Sequence, residues 1–183
     1  MKEEKNKIPE SIRTALLTLL KRKDYADIFM TEIAQQAHVG RRTLYRYFPT
    51  KDDIMRYEAD TLMEAFSQKV LELQSAGLQN TLFAWFTFWE EHIESLALLK
   101  KSHLLYFIED NLPKLIMKVA LMTKYRGMDI DLDGAVAAAP VSELYEFYFE
   151  LAGIWKLTLL WMDEKERKSP EEMSEIITKI WEA

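Results

Sequence analysis

Seven consecutive residues, Arg41-Arg42-Thr43-Leu44-Tyr45-Arg46-Tyr47, carry three guanidinium groups, two phenols and a hydroxyl around one aliphatic side chain. Guanidinium groups bind guanine edges and phosphates in a bidentate way. Phenols and hydroxyls donate to phosphate oxygens. At helical spacing Leu44 turns inward with Phe48, and the opposite face is basic and aromatic. Such a face fits the major groove of a DNA duplex. Other chemistry is thin. The chain has no cysteine and three histidines, so disulfides and thiolate metal sites are excluded, which fits a reducing cytosol. No Gly-rich phosphate loop, Gly-x-Ser-x-Gly or His-Glu-x-x-His motif occurs. Asp129-Ile130-Asp131-Leu132-Asp133-Gly134 matches the first half of a calcium loop, but Pro140 stands where a bidentate Glu is required. It reads as an acidic loop. No catalytic constellation, metal or cofactor is expected.

The elements that must position the basic face are helical. Gly and Pro number only five each among 183 residues, so long uninterrupted elements are favoured. Ile12, Leu16, Leu19 and Leu20 predict a first helix over 9–22, with Pro9 in its first turn. Two short helices follow, 30–37 and 41–47, joined by His38-Val39-Gly40. The first buries Ile33, Ala34 and Ala37. Pro49 ends the second by disfavouring the α region for Phe48. From Thr50 a long helix runs to about 74, with Asp52 and Asp53 at its positive end. Further helices are predicted over 79–100, 102–109, 112–125, 141–162 and 170–182, with a loop over 127–140. Ser169-Pro170-Glu171-Glu172 is a strong helix start. No strand signal occurs. The expected fold is all-α, about nine helices, divided into residues 1–50 and 51–183.

Residues 30–51, MTEIAQQAHVGRRTLYRYFPTK, are two short helices around a tight turn. The run Ile33-Ala34, Ala37, Val39, Thr43-Leu44-Tyr45, Tyr47-Phe48 and Lys51 resembles the N-terminal signature of TetR-family transcription regulators. The sharp likeness covers about residues 8–55. It implies base-edge contacts at Arg41, Arg42 and Thr43, and phosphate contacts at Tyr45, Tyr47 and Lys51. Thr31, in the first turn of the preceding helix, is placed to meet a phosphate, and Arg46 to contact phosphate or flanking sequence. Three positions depart from the family pattern: His38 replaces the turn Gly, Gly40 replaces the Ser or Thr cap, and Phe29 replaces a Thr. They bear on the operator sequence rather than the fold. His is among the residues enriched at positive φ, and Gly is a tolerable cap that lacks a side-chain bond.

Charge agrees with this division. Residues 1–56 hold 12 Lys+Arg and 8 Asp+Glu, a balance of +4, within a chain of net charge −6. A basic head on an acidic body suggests a polyanion site. In the body, Trp85, Phe88, Trp89, His92, Tyr106, Phe107, Tyr148 and Trp155 are candidates to line a pocket for a small lipophilic or aromatic effector. Aromatic stripes of this kind also serve as plain core. Leu151, Ala152, Trp155, Leu159, Ile177, Ile180 and Trp181 are candidates for a homodimer interface, because the last two helices are apolar over wider faces than one small subunit needs. In the resembled family those helices pair across a two-fold axis. The reading that follows is a cytoplasmic repressor released from a palindromic DNA operator by an effector. The N-terminus lacks an apolar signal region, and no 18-residue apolar run spans a membrane. Three alternatives stay open: a ligand-independent regulator or activator of the same fold, an all-helical enzyme, and a protein-interaction module.

Overall fold

In the computed structural model, which describes residues 2–73, 77–114, 117 and 141–182 (backbone only for 2–6 and 141–144), every regular element is helical. The elements are α1 (Lys2–Leu20), a 3-10 turn (Tyr25–Asp27), α2 (Met30–Gln36), α3 (Arg41–Tyr47), α4 (Lys51–Leu71), α5 (Leu78–Glu91), α6 (Ile93–Lys101), α7 (Tyr106–Glu109), α8 (Val141–Asp163) and α9 (Pro170–Trp181). The predicted all-α class with about nine helices agrees with this order. The acidic loop over 127–140 and most of the helix predicted over 112–125 lie outside the described residues.

The chain divides into two compact units, Met1–Leu62 with Leu98–Ile108, and Met63–Ala97 with Glu109–Ala183. In the first unit α1, α2, α3 and the start of α4 bury Ile12, Leu16, Ile33, Leu44, Ile54 and Met55. The Glu58 carboxylate is also buried there, paired with the Arg13 guanidinium. Arg13 also bonds Glu10 on the exposed side of α1. One oxygen of Glu58 has no hydrogen-bond partner. In the second unit α5, α8 and α9 bury Phe86, Trp89, Trp161 and Ile177. Buried indole N–H groups are tied to specific acceptors there: Trp85 to the Thr158 hydroxyl, and Trp161 to the Lys168 carbonyl, both at 2.8 Å. α9 starts as its sequence predicts. Ser169 and Glu172 form a reciprocal capping box with Pro170 in the first turn.

Three helix boundaries differ from the periodicity. α1 begins at Lys2, so Pro9 lies inside it rather than in its first turn. The Glu- and Lys-rich start consists of strong helix formers and extends the helix. The single helix predicted over 79–100 breaks at His92. The His92 Nδ1 lies 2.8 Å from the Phe88 carbonyl, and the His92 backbone leaves the helical region (φ −111°, ψ 18°). The helix predicted over 102–109 is only the short α7, because His103 closes α6. It adopts φ 58°, its N–H reaches the Lys100 carbonyl, and the Leu104 N–H reaches the Leu99 carbonyl. This is a Schellman closure with His in the position usually given to Gly.

Candidate nucleic-acid interface

The connection between α2 and α3 repeats that closure. His38 stands at φ 55°. Its N–H bonds the Gln35 carbonyl, and the Val39 N–H bonds the Ala34 carbonyl at 3.0 Å. The turn that the family pattern makes with Gly is therefore made here by His, as the sequence predicts. Gly40 follows in an extended conformation and caps α3 with its carbonyl alone, accepting from the Thr43 and Leu44 N–H groups. Ile33, Ala34, Leu44 and Phe48 are buried between and beneath the two helices. Ala37 and Val39 are half-buried. The short α3 is thus held by its one aliphatic side chain and by the aromatic residue just after it, whose ring lies 5.5 Å from that of Tyr57.

This anchoring fixes what α3 turns outward. Arg41, Arg42, Tyr45 and Arg46 are exposed, while Thr43 and Tyr47 are half-buried beside them. Among the described residues neither Arg41 nor Arg42 has an ion-pair partner. The Arg46 guanidinium lies 5.1 Å from the centre of the Tyr47 ring. Three guanidinium groups, two phenols and a threonine therefore share one helix whose apolar side is occupied. Such a surface donates many hydrogen bonds and carries positive charge, as a nucleic-acid groove requires.

Thr31 is exposed in the first turn of α2. The adjacent Glu32 carboxylate accepts from the Phe29 N–H and pairs with Lys23. The hydrogen bond from Lys23, then that from Phe29, holds this carboxyl below the usual range. Lys51 is turned toward the protein. Its ammonium donates to the carbonyls of Tyr25, Ala26 and Ile28 and sits 4.4 Å from the centre of the Tyr25 ring. The Tyr25 hydroxyl donates to Asp52 at 2.7 Å. Burial and that carboxylate push the phenol well above its ordinary range. Sequence reasoning placed Asp52 only as an acidic residue in the first turn of α4 and gave Tyr25 no role, because no motif marks their bond. At the start of α4 the Asp53 carboxylate accepts from the Thr50 N–H and hydroxyl, which hold it below the usual range, with Arg56 adding to the effect.

The candidate effector residues divide. Trp85, Phe88, Trp89, His92 and Trp155 form one cluster, with ring centres 5.6 Å apart for Trp89 and Trp155 and 4.3 Å for the stacked Phe88 and His92. Phe66 joins it 5.2 Å from Trp85. The sequence shows Phe66 only as one more apolar position of α4. The Trp155 N–H donates to Glu109 at 2.8 Å, whereas the buried Trp89 N–H has no partner. Tyr106 and Phe107 belong to the first unit, and Tyr148 is exposed on α8.

The candidate interface residues divide too. Leu151, Trp155 and Ile177 are buried in the core of their own unit, and Leu159 is half-buried. Ala152, Ile180 and Trp181 are exposed. They line an open groove of about 510 Å³ with Phe149, Gly153, Ile154 and Leu157. Phe149 is 84 % and Ile180 63 % exposed, which is unusual for such side chains without a covering surface.

Residues 12–57 match the family model described as bacterial regulatory proteins, tetR family. The chain is 25% identical over 187 residues to an uncharacterized HTH-type transcriptional regulator, YxbF, of Bacillus subtilis, covering 96% of this chain and 45% of that protein. It is also 25% identical over 111 residues to an uncharacterized HTH-type transcriptional regulator of Haemophilus influenzae, covering 61% of this chain and 52% of that protein. The chain thus spans about half the length of the curated relatives it matches. A crystal structure of a tetR-family transcriptional regulator from Streptomyces coelicolor shares the fold, with a TM-score of 0.59 at 17% identity, over 93% of this chain and 79% of that one. Among the described residues no helix is long and apolar enough to cross a membrane.

Proposed function

We propose, from the match of residues 12–57 to the tetR family of bacterial regulatory proteins, that the chain is a DNA-binding transcriptional repressor, not an enzyme, released from a palindromic operator by a small lipophilic or aromatic effector. The observation that carries the DNA reading is the outward face of α3. Arg41, Arg42, Tyr45 and Arg46 stand in solvent on a helix locked from behind by Leu44 and Phe48. Arg41, Arg42 and Thr43 read base edges, while Tyr45, Arg46, Tyr47 and Thr31 hold phosphates. In this reading residues 1–50 bind DNA, and residues 51–183 bind the effector and a second copy of the chain.

Two further features support it. The exposed apolar groove of α8 and α9 suits a second copy, and a two-fold dimer would present two α3 helices to successive major grooves about 34 Å apart. The cluster of Trp85, Phe88, Trp89 and Trp155 suits an aromatic guest. An acceptor on that guest would satisfy the unpartnered Trp89 N–H. Residues of α4 belong to both units along the chain, so an effector that favours one position of α4 would alter the head spacing. DNA affinity would then fall by the difference in effector binding between the two states.

Fluorescence anisotropy with a labelled duplex from the region upstream of the protein's own gene, at several salt concentrations, tests this. Tight, stoichiometrically dimeric and steeply salt-dependent binding is expected. Binding no stronger than to random duplex, there and across a random operator pool, would refute it.

A further inference from the structure

The ammonium group of Lys51 has three N–H bonds, and three backbone carbonyls receive them, those of Tyr25, Ala26 and Ile28. The Tyr25 ring covers the same nitrogen, and the Tyr25 hydroxyl is fastened to the neighbouring Asp52. The first turn of α4 is thus bolted to the turn over residues 25–28. That turn is the segment from which α2 starts at Met30. Its position sets where Phe29 and Thr31 stand. The ammonium is directed inward by close bonds to the Tyr25 and Ile28 carbonyls and a longer one, 3.4 Å, to that of Ala26, while Lys51 itself is half-buried.

We propose that Lys51 is a positioning residue for DNA binding: it holds the 25–28 turn on α4 and so places the first turn of α2 against the DNA backbone, without itself contacting a phosphate. The inference rests on the DNA-binding reading above. It departs from the phosphate contact that the family resemblance implies at this position. Lysine and arginine are not interchangeable here. A guanidinium is a planar fork and cannot aim at three converging carbonyls, whereas on a phosphate it would serve as well as an ammonium.

The test uses the full chain with its operator duplex. Lys51→Met should lower operator affinity by about tenfold, the order of one displaced charge-assisted contact, by the same factor at every salt concentration. Lys51→Arg should fall alike, and Tyr25→Phe should move in the same direction. A phosphate contact predicts instead that Lys51→Met flattens the salt slope by about 0.9 and that Lys51→Arg binds like wild type. Either result would overturn the proposal. So would variants that melt earlier but bind with unchanged affinity while folded, since Lys51 would then serve stability alone. Acetylation footprinting of the wild-type protein needs no variant. Lys51 should react slowly in the free protein and no more slowly on DNA, whereas a phosphate-gripping lysine reacts freely and becomes protected on the operator. Failure of the wild-type chain to bind any duplex would overturn the DNA reading and this inference together. Binding with a protected Lys51 would overturn this inference alone.

Discussion

Replacing Arg13 by Met removes the only cation paired with the Glu58 carboxylate among the described residues. Glu58 is 1 % exposed, and its other oxygen already lacks a partner. Breaking a buried ion pair on one side costs about 3–5 kcal/mol, because the remaining charge stays desolvated. Arg13 itself is 19 % exposed at its side chain, so water reaches the pair from one side and the lower end applies, about 3 kcal/mol. The accompanying loss of the exposed Glu10 contact adds at most about 1 kcal/mol. For a chain of this length 1 kcal/mol moves the melting temperature by about 2–4 °C, so Arg13→Met should melt roughly 6–12 °C lower. The double variant Arg13→Met, Glu58→Leu removes both charges and should return to within about 1 kcal/mol of wild type. Thermal and urea unfolding at one protein concentration, held fixed because self-association shifts apparent stability, supply the readings. A single variant that costs under about 1 kcal/mol, or a double variant as unstable as the single, would refute the reasoning.

Two more outcomes follow from the second unit. Thr158 is fully buried and accepts from the Trp85 N–H, so Thr158→Val should cost about 1–3 kcal/mol by stranding that donor, read by urea unfolding; a neutral result would mean that another acceptor takes the N–H. Burial, and then the neighbouring Glu146, raise the Glu150 carboxyl above the usual range despite a bond from Trp181. Its folded form keeps the proton longer than the unfolded chain does, so its contribution is fully present below about pH 4.3 and is lost as pH rises through the raised value. Glu150→Gln should therefore melt higher than wild type at pH 7 and equally at pH 4; an equal gain at both pH values would sink this account.

The helix-turn-helix was legible because its signals are local. Ile33, Ala34 and Leu44 mark the faces, and Pro49 stops α3. The left-handed turn at His38 was legible through the resemblance, which places a Gly there, together with the enrichment of His at positive φ. His92 was not readable as a break, since its side chain competes for a carbonyl inside an otherwise unbroken apolar pattern. Nor was the inward commitment of Lys51, which depends on carbonyls more than twenty residues away in the chain. In α8 apolar residues occupy most of the circumference. Periodicity then cannot say that Leu151 and Trp155 turn inward while Phe149 and Ala152 turn out. The inward side is the one that carries the bonds from Trp85 to Thr158 and from Trp155 to Glu109, which join residues far apart in the chain and leave no local pattern.

The division of labour along α3 has a consequence for how such chains diverge. Leu44 and Phe48 carry the attachment of the helix, while Arg41, Arg42, Tyr45 and Arg46 face solvent. Substitutions at exposed positions of this kind usually change stability by no more than about 0.5 kcal/mol. Gly40, where an added Cβ would meet nothing within 4 Å, is equally open to change. A lineage can therefore try new residues at these sites while the fold stays intact, and duplicated copies can drift toward separate targets without passing through an unfolded ancestor.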